Sequence, residues 1–130
     1  MKVKRDKYDI TFSEFIKKRD VYCQKCGKSD GKLECSHIFS RRHQGLRYDE
    51  DNAKLLCFGC HRWWHENPPE AIEWLKSIIG EDAYNKLRIR AHKPTKLSMF
   101  DRDSIRQFLL IRIKRMNDTP EQNWLERNGK

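Results

Sequence analysis

Two segments decide the fold: Leu33-Glu34-Cys35-Ser36-His37-Ile38 and, after a polar loop, Asp51-Asn52-Ala53-Lys54-Leu55-Leu56-Cys57-Phe58-Gly59-Cys60-His61-Arg62-Trp63-Trp64-His65. The first alternates apolar and polar residues, which reads as a strand from Leu33 to Phe39 carrying His37. Ser40 to Asn52 is a polar loop rich in Arg, His and Asp. Lys54-Leu55-Leu56 reads as a short second strand. Phe58 to about Glu66 reads as a helix, stopped by Asn67-Pro68-Pro69. His61 and His65 stand four apart, so on a helix they share a face and can hold one metal ion.

The cysteines frame this stretch. Cys23-x-x-Cys26 and Cys57-x-x-Cys60 form two thiolate pairs, a spacing that suits one tetrahedral structural zinc. Buried reduced thiols would not explain why four of the five Cys fall in matched pairs. Zinc here would tie the region before the first strand to the start of the histidine helix, and so fix where His61 points. Cys35 is left over and reads as a buried strand residue.

Outward from this centre, residues 1–9 read as a basic arm able to rest on phosphates. Thr11-Phe12-Ser13-Glu14 has capping-box spacing, with Thr11 as N-cap of a short helix to about Lys18. Phe12, Phe15 and Ile16 share its apolar face. Beyond Pro69 a helix with Ala71, Leu75 and Ile78 inward is ended by Gly80. A second helix covers Glu81 to about Arg90. Lys86 to Lys96 holds five Lys/Arg and no acid. Asp101 is placed as N-cap of a last helix to about Met116, with Ile105, Phe108, Leu109 and Ile113 on one stripe. The expected division is an arm over 1–9, a zinc-stapled core over 10–68, a helical extension over 69–117 and a polar tail over 118–130.

At 130 residues with 37% apolar and 36% charged content, the chain cannot build a large core, and a metal staple would help. Net charge is +9, and residues 1–22, 23–65 and 66–130 hold 7, 8 and 13 basic against 4, 5 and 10 acidic groups. An excess spread this evenly suits a polyanion, with nucleic acid first. No apolar run could span a membrane, and no h-region follows the basic start, so an intracellular, cytoplasmic protein is expected.

The order His37, Asn52, His61, His65 resembles the HNH nucleases over Leu33–His65. The resemblance implies an α+β fold: a small ββα-metal core stapled by the four-cysteine zinc, with a short N-terminal helix and a helical C-terminal extension. It implies a metal-dependent DNA endonuclease. His37 would be the general base, Asn52 the residue pinning the loop, and His61 and His65 the ligands of a catalytic Mg2+, Mn2+ or Zn2+. Many members carry Asp or His just before the base; here Ser36 stands there, a poor ligand, so Glu34, Cys35 or Asp51 are alternatives. Arg41, Arg42 and Arg47 of the loop, and Lys86, Arg88 and Arg90 further on, are candidate DNA contacts.

A narrower resemblance runs through Cys35-Ser36-His37, Gly45 to Asn52 and Cys57-Phe58-Gly59-Cys60. These are similar to phage recombination nucleases of the Rap (NinG) type, which implies branched DNA as substrate and a phage source. The last helix could pair two chains into a homodimer, or could pack on the core. The other readings are a non-catalytic zinc-stapled DNA-binding module, and an assembly protein using that last helix as its partner surface.

Overall fold

The structure is a computed structural model and describes residues 3–118. The tail expected over 118–130 lies, apart from its first residue, outside the described residues. Helix α1 (Lys7–Asp20) comes first, then strand β1 (Leu33–His37), a short helix α2 (Gln44–Arg47) and a 3-10 turn (Glu50–Asn52). Strand β2 (Ala53–Cys57), α3 (Phe58–Glu66), α4 (Pro68–Ile79), α5 (Glu81–Ala91) and α6 (Met99–Asp118) complete it.

The two strands form an antiparallel pair with Leu33 opposite Cys57 and His37 opposite Ala53. Both faces of this small sheet are covered. Leu55 joins a cluster with Phe12, Phe15 and Ile16 of α1 and Leu109 and Ile113 of α6. Its neighbour Leu56 points the other way, toward Trp64 of α3 and Ala71 and Leu75 of α4. Period-two alternation on β2 thus feeds two cores at once. A third cluster, Leu46, Leu87 and Ala91, seats α5 on α2.

The expected start of α1 is corrected. Its N-cap is Asp6, whose side chain accepts from Asp9 N–H while Asp9 accepts from Asp6 N–H. The rival Thr11–Glu14 spacing falls inside the helix, where the Thr11 hydroxyl donates to Lys7 O at 3.2 Å. The arm therefore ends at Asp6, and residues 7–9 are helical. At the other end Val21 has φ 70°, and Tyr22 N–H donates to Asp20 O at 2.7 Å. This is a γ-turn in its strained, positive-φ form, on a β-branched residue. It turns the chain into the first cysteine pair. Asp20 also accepts Leu55 N–H at 2.9 Å, and Gln24 N–H donates to Leu55 O at 2.9 Å, so the outer edge of β2 is not left bare.

Two expectations for α6 are also corrected. Asp101 is not the N-cap: its carboxylate accepts Ser98 N–H and its own N–H donates to the Ser98 hydroxyl, which makes Ser98 the cap. Phe108 is not on the buried stripe, since it stays 56% exposed while Leu109 and Ile113 pack on α1. In α4, Ile78 is likewise exposed, and Ala71 with Leu75 carries the packing.

Candidate functional site

The four paired thiols converge. The Sγ atoms of Cys23, Cys26, Cys57 and Cys60 all lie within 4.8 Å of one another. Cys26 and Cys57 Sγ are 3.7 Å apart, close to the edge of about 3.8 Å that a tetrahedron with metal–sulfur bonds of about 2.3 Å requires. Cys26 N–H points at Cys23 Sγ and Cys60 N–H at Cys57 Sγ, and Gly27 at φ 81° lets the first knuckle close with Gly27 N–H on Cys23 O. Burial pushes the Cys23 thiol up, but the backbone donors around it outweigh burial and bring it down to about 6. A low thiol pKa favours the thiolate a metal needs. Cys60 is raised by burial and by its thiol neighbours. The set fits one structural zinc. Cys35 is no part of it: it packs beside the α1 cluster, and burial pushes its thiol up to about 12.

A cleft of about 770 Å³ lies beside this cluster, with β1 and α1 among its walls and His37, His61 and His65 all on its lining. The three histidines named from sequence are thereby brought together. His37 closes β1. Its Nε2 is 3.0 Å from Arg47 O, and its ring rests on Phe12 with centroids 5.5 Å apart. A carbonyl only accepts, so Nε2 carries the proton and Nδ1 keeps a free lone pair. Burial lowers the His37 pKa below the usual imidazole value, and the bond to Arg47 O only partly offsets this. The neutral ring is favoured.

Asn52 does not line the cleft; it is fully buried behind it. Its amide donates to Phe39 O at 2.8 Å and Leu46 O at 3.0 Å, and its side-chain oxygen accepts Phe39 N–H at 2.9 Å. Its own carbonyl accepts Ile38 N–H at 2.8 Å. These bonds hold the chain that leaves His37 and the turn that precedes Arg47 O, the acceptor of the His37 ring.

On α3, His61 and His65 bring their Nε2 atoms to 3.1 Å. With metal–nitrogen bonds of 2.0–2.1 Å, that separation corresponds to an angle of about 100° at a shared ion, so the pair fits a divalent metal. Burial, and then the neighbouring His61, lower the His65 pKa, which keeps it a neutral donor. His61 Nδ1 is 2.9 Å from Glu34 Oε1. Burial raises Glu34, but the bonds to His61 and Lys32 outweigh it and hold the carboxyl below its usual range. Ser36 is 3% exposed and does not line the cleft. Of the alternatives to it, Glu34 alone faces His61; Asp51 lies on a different groove with Phe108.

The loop arginines divide. Arg42 is exposed on the cleft. Arg41 lines it too, but bonds Val3 O at 2.9 Å and pairs with Asp9 at 3.5 Å. Arg47 is buried, with Nε 3.0 Å and Nη2 2.6 Å from the two oxygens of Asp9, and its guanidinium faces α1 rather than the cleft. Asp9 keeps a lowered pKa because Arg47 and Asp6 outweigh the upward push of burial. Lys86, Arg88 and Arg90 are exposed on α5, away from the cleft lining, and Arg90 is paired with Asp49 at 2.7 Å.

Sequence reasoning missed the α1 side of the cleft. Asp9, Ser13 and Lys17 line it, each four residues on, together with Arg5. That spacing was in the sequence, but nothing local tied α1 to β1. Arg5, Lys17 and Arg42 make no ion pair among the described residues. No described helix is long and apolar enough to cross a membrane.

No curated protein and no solved structure matches the chain. The family model described as HNH endonuclease does match, over residues 23–66, from the first knuckle cysteine to the end of α3. The hairpin, the four-cysteine cluster and the histidine helix together are thus an HNH domain, and α1, α4, α5 and α6 are built around it.

Proposed function

We propose that the protein is a metal-dependent DNA endonuclease that hydrolyses phosphodiester bonds in this cleft. The observation that carries the reading is the convergence of His37, His61 and His65 on one cleft that also holds the cations Arg5, Lys17 and Arg42, which make no ion pair among the described residues. His37 Nδ1, with Nε2 committed to Arg47 O, takes the proton from an attacking water. Phe12 keeps the ring in place, and Asn52 bonds Leu46 O, the carbonyl just before the Arg47 O that sets its tautomer. His61 and His65 hold the divalent ion; imidazole donors suit Zn2+ better than Mg2+. Bound there, such an ion supplies positive charge to the phosphate and to the leaving oxygen. Arg42, Lys17 and Arg5 neutralise the flanking backbone phosphates. A binding module without activity would need neither a neutral histidine in a cleft nor two converging Nε2 atoms.

The finer reading is a preference for branched DNA, as in a phage recombination nuclease. Exposed Lys86 and Arg88 on α5 lie off the cleft and are available to a second duplex arm. Two chains paired through the exposed side of α6, with Phe108 and Ile111, would match the symmetry of a four-way junction. The test is cleavage of a four-way junction and a linear duplex of the same sequence with Mg2+, Mn2+, Zn2+ and EDTA, using the unmodified protein and His37→Ala. Loss of cleavage in His37→Ala with binding retained is expected. Cleavage that persists in that variant would remove the mechanism, and equal rates on both substrates would remove the branched-DNA preference.

A further inference from the structure

Strand β1 carries a carboxylate three residues before His37. Glu34, opposite Leu56 in the register, reaches across to α3 and puts Oε1 2.9 Å from His61 Nδ1. Lys32 Nζ is 3.3 Å from its other oxygen. An ionised carboxylate has no proton to give, so the proton in the Glu34–His61 bond belongs to His61 Nδ1. With Nδ1 committed to Glu34, Nε2 is the ring atom of His61 left to meet a cation, as the neutral ring that metal ligation requires. That atom is 3.1 Å from His65 Nε2, and one of the two must donate. With His61 committed, the donor is His65. One carboxylate therefore sets the tautomers of both rings.

We propose that Glu34 is the positioning residue of the two-histidine metal site. It holds His61 with Nε2 ready for a divalent cation, and it makes His65 the ring that must change. This rests on the nuclease reading only for the statement that His61 and His65 are metal ligands. Loading the site then has a defined proton movement: the hydrogen on His65 Nε2 is lost to solvent as one is taken up at its Nδ1, while His61 keeps its tautomer throughout. Carboxylate partners of this kind orient ligating histidines and raise their basicity. The chain supplies one from β1 although Ser36, which follows Glu34 by two residues on the same strand face, is a buried hydroxyl.

The test uses the full chain with its cysteine site filled with zinc. Mn2+, which thiolates bind poorly, is titrated and the free ion is read by electron paramagnetic resonance. Glu34→Ala is expected to weaken Mn2+ binding about 10- to 100-fold. Glu34→Gln keeps an acceptor for Nδ1–H without the charge and should fall between. It also keeps the side-chain size, so it serves if the alanine variant does not fold. In the metal-free protein, nitrogen NMR of the histidine rings should show His61 protonated at Nδ1 and His65 at Nε2, with the His61 preference lost in Glu34→Ala. Mn2+ affinity within twofold in both variants, or His61 protonated at Nε2 in the unmodified protein, would reduce Glu34 to a strand–helix ion pair. DNA cleavage is scored apart. Glu34-dependent Mn2+ binding without cleavage overturns the nuclease reading and supports this one; cleavage with Glu34-independent binding does the reverse; binding of neither Mn2+ nor a second Zn2+ overturns both.

Discussion

Replacing Asn52 by Ala is the sharpest test of how the site is held. The side chain is fully buried and makes three bonds to backbone groups, Phe39 N–H, Phe39 O and Leu46 O. At about 1 kcal/mol net each, the bonds contribute roughly 3 kcal/mol. The variant also strands polar groups away from water, at about 1–3 kcal/mol for each that finds no new partner. A loss of about 3–5 kcal/mol follows, a large part of the roughly 5–15 kcal/mol a domain has. The effect on chemistry is separate. Phe39 is two residues past His37, the proposed base, and Leu46 O immediately precedes the residue whose carbonyl holds His37 Nε2. Releasing both frees the ring to move by an ångström or so, which costs about 100-fold in rate. Asn52→Asp should do no better, because an ionised carboxylate can accept from Phe39 N–H but meets two carbonyl oxygens with nothing to donate. Guanidinium unfolding of the zinc-loaded protein, followed by tryptophan fluorescence, gives the stability; cleavage at saturating metal gives the rate. A loss below about 1 kcal/mol with unchanged kcat would refute the reasoning.

Four further outcomes are expected. Cys57→Ser should lose zinc and unfold, since structural zinc is worth about 10–16 kcal/mol, as much as the whole fold; a folded, zinc-free variant by circular dichroism would contradict this. His37 must be neutral to act and its pKa is lowered, so kcat/KM should fall only as pH drops below the ordinary imidazole value of about 6.5, and an acid limb above that value would count against burial of the base. Arg5→Ala, Lys17→Ala and Arg42→Ala combined, in a His37→Ala background, should flatten the slope of log affinity against log salt by about 0.9 per cation; an unchanged slope would take α1 out of the DNA interface. Val21→Gly should relieve the positive-φ turn and raise stability by about 1 kcal/mol by the same unfolding assay, and a loss would show the turn to be unstrained.

What could be read from the sequence was what repeats at short range. Two Cys-x-x-Cys pairs, an i,i+4 histidine pair and a strand-length alternation are each complete within five or six residues; the thiols converge and the histidines share one helix face, while the strand ends at His37, two residues short of the expected Phe39. What could not be read was choice between equals and contact at long range. Asp6-x-x-Asp9 and Thr11-x-x-Glu14 are both plausible caps, and the first turn of the earlier one is tied down by distant partners, Tyr8 by Asp103 of α6 and Asp9 by Arg47. Arg47 carries the same fork as Arg42, but its partner Asp9 is 38 residues away in the chain. Glu34 and His61 are 27 residues apart and meet only because the hairpin folds β1 back against α3.

Cys57 ends β2, accepts Cys60 N–H as the cap of α3, and belongs to the four-thiol cluster, with no loop residue between strand and helix. The junction has no slack, and α3 behaves as a lever arm pivoted on the cluster. At 1.5 Å per residue, His65 sits about 12 Å along the arm, so a tilt of about 5° at the pivot displaces it by about 1 Å. The precision of the two-histidine site is therefore set at a distance, by how rigidly four sulfur atoms are clamped. Any change that loosens the clamp without unfolding the chain should register first as lost metal affinity at histidines it never touches.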